Sequence, residues 1–295
     1  GGNVVIPAFA VGRTQEILYF IGRMKQEGLV KSAPDFPVYV DSPLAGKATT
    51  IFAGDLRGYL DEEALELVRT HQSMFTFPGL RLTESLEESK MLNTDKTPKV
   101  ILSASGMCDA GRIRHHLKYN LWRHDSTVVF VGFQGEGTLG RTLLEGAESV
   151  KLFGEEIAVN AEIVNFKGLS SHADRNHLLA WAQAFDGPKH IFVTHGDREV
   201  APYFAESLQK LGLEAHAPQY TECWDLLSGR MVEQGYLPER KTSTYAGGKV
   251  STAYQRLVAM GKLLQEVIAR SKGRANRDLG NFADQIKALI DKWEK

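Results

Sequence analysis

Apolar and polar positions in the first half of the chain follow one repeated order. A short run of β-branched and aliphatic residues ends in a loop rich in Gly, Ser or Pro, and apolar residues at helical spacing follow. Val4 to Phe9 leads through Val11-Gly12-Arg13-Thr14 into a predicted helix near Gln15 to Lys25. Val38-Tyr39-Val40 leads through Asp41-Ser42-Pro43 into another helix. Val100 to Ala104 leads through Ser105-Gly106-Met107 into a helix near Gly111 to Arg123. Thr127 to Gly132 leads through Gly135-Glu136-Gly137-Thr138 into a helix from about Leu139. Repeated strand–loop–helix units predict an α/β fold with a doubly wound, mainly parallel sheet. Such sheets hold ligands outside the carboxyl ends of their strands, where all four loops fall.

A helical insert is predicted from roughly Thr49 to Glu88, with Asp61-Glu62-Glu63 and Glu87-Glu88 read as a solvated face. After about Gly146 the order changes. Lys151 to Phe166 reads as a pair of strands, and Ser170-Ser171-His172-Ala173-Asp174 leads into a helix carrying Leu178, Leu179, Trp181 and Ala182. His190 to Thr194 is a strand ending at His195-Gly196. A helix near Val200 to Leu211 and strands near Glu214 to Ala217 and Trp224 to Leu227 follow. Three segments result: residues 1–146, residues 147–240, and a tail, 241–295, with a polar linker and two amphipathic helices near Thr252 to Arg270 and Asn281 to Trp293. Leu257, Met260, Leu264 and Ile268 recur at helical spacing in the tail. They suit either dimerisation or packing on the parent domain.

Composition narrows the class. The 295 residues are 43% hydrophobic and 24% charged, which is ordinary for a soluble chain. A formal net charge of −1 supplies no global field for nucleic acid, so such a ligand would need a local cluster of Arg and Lys. Cys108 and Cys223 fit no metal spacing, and a reduced, cytoplasmic setting follows. No apolar run is long enough to span a bilayer. The chain opens on Gly1-Gly2 and enters an apolar run without an initiator Met, and is read as a fragment.

Two of the nine histidines stand out. His172 and His195 each sit in a loop between a strand and a helix, among small residues that let a ligand approach. The others, including adjacent His115 and His116, read as surface or satisfied structural residues. Asp174, just before a helix, reads as an N-cap. Gly135-Glu136-Gly137-Thr138 suits either a phosphate cradle at a helix start or a tight turn. Ser105 and Gly106, with Arg112 and Arg114 nearby, have a similar layout. Together with Arg13 and Arg141 these loops could make a phosphate track.

Five stretches in order carry a resemblance: Ile6-Pro7-Ala8-Phe9-Ala10-Val11-Gly12-Arg13-Thr14-Gln15-Glu16, Ser103-Ala104-Ser105-Gly106-Met107, Gly135-Glu136-Gly137-Thr138-Leu139, Ser170-Ser171-His172-Ala173-Asp174 and Val193-Thr194-His195-Gly196-Asp197. Over about residues 1 to 240 the chain resembles the metallo-β-lactamase-fold RNA nucleases with a β-CASP domain, relatives of the pre-mRNA 3′-end cleavage nuclease. The resemblance implies that 1–146 is an N-terminally truncated β-CASP domain and 147–240 the returning part of a metallo-β-lactamase αββα sandwich. It implies hydrolysis of single-stranded RNA at two zinc ions, with His195 a zinc ligand and His172 an acid or charge stabiliser beside the scissile phosphate. Ser170, Ser171, Arg13, Ser105, Gly106, Gly135, Gly137 and Thr138 would contact substrate.

The family's main metal cluster, His-x-His-x-Asp-His, is absent from this sequence. With one zinc ligand of the usual four, the fragment alone is expected to be inactive until joined to a missing N-terminal half of the metallo-β-lactamase domain. The alternative is a non-catalytic RNA-processing scaffold subunit of the same family. Endonucleolytic and 5′-exonucleolytic modes both remain open.

Overall fold

The computed structural model describes residues 1–54, 58–69, 74–170, 172–239, 245, 252–273 and 275–293. Ser171, His71 and most of the 241–249 linker therefore lie outside the described residues. In chain order the first elements are β1 (Val4–Pro7), α1 (Arg13–Gln26), β2 (Val38–Val40), α2 (Pro43–Phe52), α3 (Glu62–Arg69), β3 (Leu80–Leu82) and α4 (Leu86–Thr94). Then come β4 (Val100–Ser103), α5 (Ile113–Asn120), β5 (Thr127–Phe130), α6 (Leu139–Leu144), β6 (Ser149–Leu152), β7 (Glu155–Ala158) and β8 (Glu162–Asn165). The remainder are α7 (Arg175–Gln183), β9 (Ile191–Phe192), α8 (Val200–Gln209), β10 (Ala215–His216), β11 (Cys223–Asp225), β12 (Arg230–Glu233), α9 (Thr252–Arg270) and α10 (Asn276–Trp293).

The main sheet has six strands in the order β3-β2-β4-β1-β5-β8, and every pairing in it is parallel. Strands covered on both faces read as continuous apolar runs, and β2 and β4 do so. Alternate residues divide between the faces. Ile6, Val38, Val40 and Leu102 pack with Ile17, Leu18 and Ile21 of α1 and Ala45 of α2. Val5, Val128 and Phe130 pack with Ile113, Leu117 and Leu121 of α5 and Leu139 and Leu143 of α6. Tyr39 and Ile101 take Leu92 of α4. Helices thus cover both faces, and the fold is the doubly wound α/β class read from the sequence.

The insert between α2 and β4 departs from the reading. In place of one helical stretch it contains the edge strand β3 and a separate helix α4. Its acidic residues are exposed, as read, and Glu88 also caps α4: Glu88 Oε2 accepts from the Ser85 amide at 2.9 Å while Ser85 Oγ accepts from the Glu88 amide at 3.2 Å. This reciprocal capping box satisfies two donors that a helix start leaves free. Glu63 meets Arg23 at 2.9 Å. After α6 the predicted pair of strands is three short strands, and the last, β8, joins the main sheet beside β5.

A smaller layer follows. β9 and β10 pair in parallel, and Ala182 of α7, Ala205 and Leu208 of α8, and Ala215 form its core. The antiparallel ribbon β11–β12 brings Trp224 against Phe192 and His216. By contacts the chain forms two units, Gly1–Phe153 with Ile157–Gly247, and Gly154–Glu156 with Gly248–Lys295. In the second, α9 ends where the Ser271 amide and hydroxyl both turn back to the Val267 carbonyl, at 3.0 and 2.8 Å. Among the described residues no helix is long and apolar enough to cross a membrane.

Candidate functional site

Because all six strands run the same way, their carboxyl ends form one crest. The ends of β4, β1, β5 and β8 are consecutive along it. These carry the loops around Ser105-Gly106, Phe9 to Arg13, Gly135 to Thr138, and Ser170 to His172. Four segments spread over more than 150 positions become neighbours, and specific bonds stitch them together.

The β1 loop closes on itself. Thr14 Oγ1 donates to the Phe9 carbonyl at 2.7 Å, and the Gly12 amide donates to Gln15 Oε1 at 2.7 Å. Gly12 has φ 82°, which glycine adopts without steric cost at the helix entry. Arg13 hydrogen-bonds the Leu169 carbonyl and pairs with Glu16, so the start of α1 is tied to the loop after β8.

The β4 loop crosses beneath. A Cβ at Gly106 would lie 3.0 Å from the Phe9 ring, so glycine admits the ring there. Ser105 serves its own turn, since its amide donates to the Ala110 carbonyl at 3.2 Å and its Oγ accepts from the Ala110 amide at 3.4 Å. Gln134, buried at the start of the β5 loop, donates to the Gly106 carbonyl at 3.0 Å and the Gly132 carbonyl at 3.2 Å. Thr138 caps α6, with its Oγ1 accepting from the Arg141 amide at 3.2 Å and donating to the Gly135 carbonyl at 2.7 Å. Gly137, at φ 82°, faces open space.

Ser170 is exposed and its Oγ accepts from the His172 amide at 3.4 Å. The His172 side chain is exposed. Asp174 is the N-cap of α7: its Oδ1 accepts from the His177 amide at 2.9 Å. That backbone bond, reinforced by the His177 ring, holds its carboxyl below the usual range.

His195 follows the other sheet, where it takes a left-handed backbone at φ 62° and is exposed. Two residues on, Asp197 acts electrostatically on Arg141 of α6. That guanidinium is held above its ordinary value first by Glu145 and then by Asp197 and Glu136.

The donor set does not make a zinc site. Among the described residues no group of three or more His, Cys, Asp or Glu is placed to hold a metal, and zinc usually takes four protein or water ligands. His195 offers one imidazole without companions.

One polar cluster was not visible in the sequence. Asp41, at the end of β2, has a fully buried side chain. Its carboxylate accepts from Ser89 Oγ at 2.6 Å, Arg112 Nη1 at 2.8 Å and Thr83 Oγ1, and meets His116 Nε2 at 2.6 Å. Its carbonyl accepts from Ser103 Oγ at 2.8 Å. Burial pushes the Asp41 carboxyl up, but the bonds from His116, Ser89 and Thr83 outweigh it and hold it far below the carboxylate range. Arg112 also donates to the Glu84 carbonyl at 2.8 Å, so this guanidinium braces β2, α4 and α5. Arg114 lies 4.9 Å from the centre of the Phe153 ring. The available signal was two small polar residues and a proline, Asp41-Ser42-Pro43, directly after a buried parallel strand.

Comparison with known proteins fits this geometry. Residues 14–143 match the Beta-Casp domain, and residues 156–218 match the Zn-dependent metallo-hydrolase RNA specificity domain. Ribonuclease TTHA0252 of Thermus thermophilus is 35% identical over 222 residues, which is 75% of this chain and 49% of that protein. Transcription termination factor FttA of Methanosarcina mazei is 32% identical over 225 residues, 74% of this chain and 34% of that one. The RNase J-like protein of Methanocaldococcus jannaschii is 32% identical over 210 residues, 71% of this chain and 47% of that one. The chain thus spans about half the length of these relatives or less.

Proposed function

This chain belongs to the β-CASP metallo-β-lactamase nuclease family, and on that premise we propose that it is the substrate-gripping portion of a zinc-dependent ribonuclease acting on single-stranded RNA. The observation that carries the reading is the crest. Four neighbouring parallel strands end in Gly- and Ser-rich loops, and one of these lies within the match to an RNA specificity domain. Exposed amides and hydroxyls at strand ends can hold phosphate oxygens in register, which phosphodiester cleavage requires.

His172 is a group on this chain suited to move a proton, and it is exposed. Near a departing ribose oxygen it would donate a proton or neutralise the growing negative charge. His195 would give one imidazole to a metal site, where a bound zinc would supply a metal-activated water.

The test uses the natural full-length protein with labelled single-stranded RNA. His172→Ala should slow cleavage by about 10²- to 10⁴-fold while leaving RNA affinity nearly unchanged. His195→Ala should lower the zinc bound per chain. An unchanged cleavage rate in the first variant removes the proton-transfer role, and unchanged zinc content in the second removes the ligand role. A second reading is a non-catalytic RNA-processing subunit of the same family. RNA binding without cleavage by the zinc-supplied natural protein would establish it.

A further inference from the structure

Three phenylalanines on the crest face water. Phe9 is 52% exposed, Phe133 63% and Phe166 50%, whereas Phe130 and Phe77 in the same unit are buried. Phe9 follows β1 by two residues, Phe133 follows β5 by three, and Phe166 directly follows β8. Because β1, β5 and β8 are adjacent, the three rings spring from neighbouring strand ends, about 4.8 Å apart per strand step. We propose that Phe9, Phe133 and Phe166 form a stacking rail for consecutive bases of single-stranded RNA. This inference rests on the ribonuclease reading above and names how that site would hold bases as distinct from phosphates.

Two of the rings are seated. Phe9 lies against Gly106, where a Cβ would come within 3.0 Å of the ring, and Phe166 lies against Gly168, where a Cβ would come within 3.1 Å. A ring that packs one side on a glycine and leaves half its surface in water keeps a surface on which a base can stack. The backbones beneath are fixed, with the Phe166 amide donating to the Phe130 carbonyl at 2.8 Å and the Ala8 amide to the Ser103 carbonyl at 3.1 Å.

Charge complementarity selects the occupant. Lys167, exposed, directly follows Phe166, whereas Arg13 is committed to Glu16 and the Leu169 carbonyl. A cation placed directly after a ring matches a strand that alternates phosphate and base. Stacking tolerates any sequence because every base has a π-face. Duplex RNA keeps its bases stacked inside and would find no use for the rail.

The natural full-length protein is titrated with a labelled oligouridylate and with an abasic sugar–phosphate strand of the same length, using fluorescence anisotropy. Phe133→Ala and Phe166→Ala should each weaken oligouridylate binding by about 5- to 100-fold. Abasic binding should stay within about twofold. Phe133→Trp should retain affinity, and Phe133→Leu should not. Equal losses on both strands would overturn the rail, because the rings would then be shaping phosphate contacts. A lowered thermal midpoint with undiminished RNA affinity would also overturn it, because the rings would then be covered by protein. If the unsubstituted protein binds no RNA, the ribonuclease reading falls and this one falls with it. If it binds RNA and all Phe variants match it, only the rail falls.

Discussion

Asp41 shows what one buried carboxylate does at a sheet end. It collects donors from β3–α4 (Thr83, Ser89), from the start of α5 (Arg112) and from within α5 (His116), so four parts of the crest's foundation meet at two oxygens. Its carboxyl titrates well below its ordinary value. A depressed folded value means that the carboxylate's contribution to stability is full above the unfolded value, roughly pH 4, and is lost as pH falls below it. Asp41→Asn should therefore cost about 3 kcal/mol at pH 7, since it leaves the half-buried Arg112 guanidinium without its carboxylate and breaks up the buried hydrogen-bond cluster, and the gap to the unsubstituted protein should narrow by pH 3. Urea titrations across pH check this, and parallel curves for the two proteins would refute it. Little of this could be read from the sequence, because the partners lie 42 to 75 positions away from Asp41. His116 was legible only as a satisfied histidine, and it is completely buried between Asp41 and Asn93. Thr138 shows the converse: an obvious loop hydroxyl whose hydrogen bonds already go to its own turn. Thr138→Ala should cost about 1 kcal/mol of stability through loss of the cap of α6, measurable as a lower unfolding midpoint.

Elements were legible where their period was long enough to show. The four β-strands with adjoining loops, and α1 and α9, follow from apolar runs and 3.6-residue spacing. β3 did not, because Leu80-Arg81-Leu82 has a charge where β2 has a continuous apolar run, and an edge strand needs little apolar content. The α4 start carried a usable signal, Ser85 followed three residues later by Glu88, which was absorbed into a reading of solvated charge. Between elements the backbone itself is specific. Gly111 has φ 82°, and a Cβ there would lie 2.4 Å from the Ala104 carbonyl oxygen. Gly111→Ala should therefore cost about 2 kcal/mol or more through the strained backbone alone. It should also displace the loop that seats Phe9, so RNA affinity should fall together with stability. A substitution that leaves both unchanged would show that the crest tolerates movement of the β4 loop. For comparison, Leu117→Ala in the core beneath should lower stability by about 3 kcal/mol and leave RNA affinity of the folded protein intact.

At the scale of the whole molecule the charge balance constrains how the proposed RNA substrate would be held. A net charge of −1 gives no long-range attraction, and composition alone made this legible. Where the cations stand was not legible. Arg112 is committed to Asp41 and Glu84, and Arg114 lies against Phe153. The crest keeps Arg13, Arg141 and Lys167, and the first two are paired with Glu16 and Glu145. Each phosphate neutralised on a single strand changes the slope of log affinity against log salt by about −0.7, so with Arg13 and Arg141 held by carboxylates, Lys167 allows a slope of roughly −0.7 for the crest. Raising salt from about 50 to 200 mM should then weaken binding by about 3-fold, against the 10³-fold or more of a protein that rests on many phosphate contacts. Affinity that survives salt must come from contacts that salt does not screen, and stacking is of that kind. The salt slope and the phenylalanine variants are thus linked. Substituting Phe133 should lower affinity at every salt concentration and leave the slope unchanged, whereas Lys167→Ala should flatten the slope by about 0.7. A slope steeper than about −5 in the unsubstituted protein would show that phosphates beyond the crest dominate, and would move the binding surface away from these strand ends.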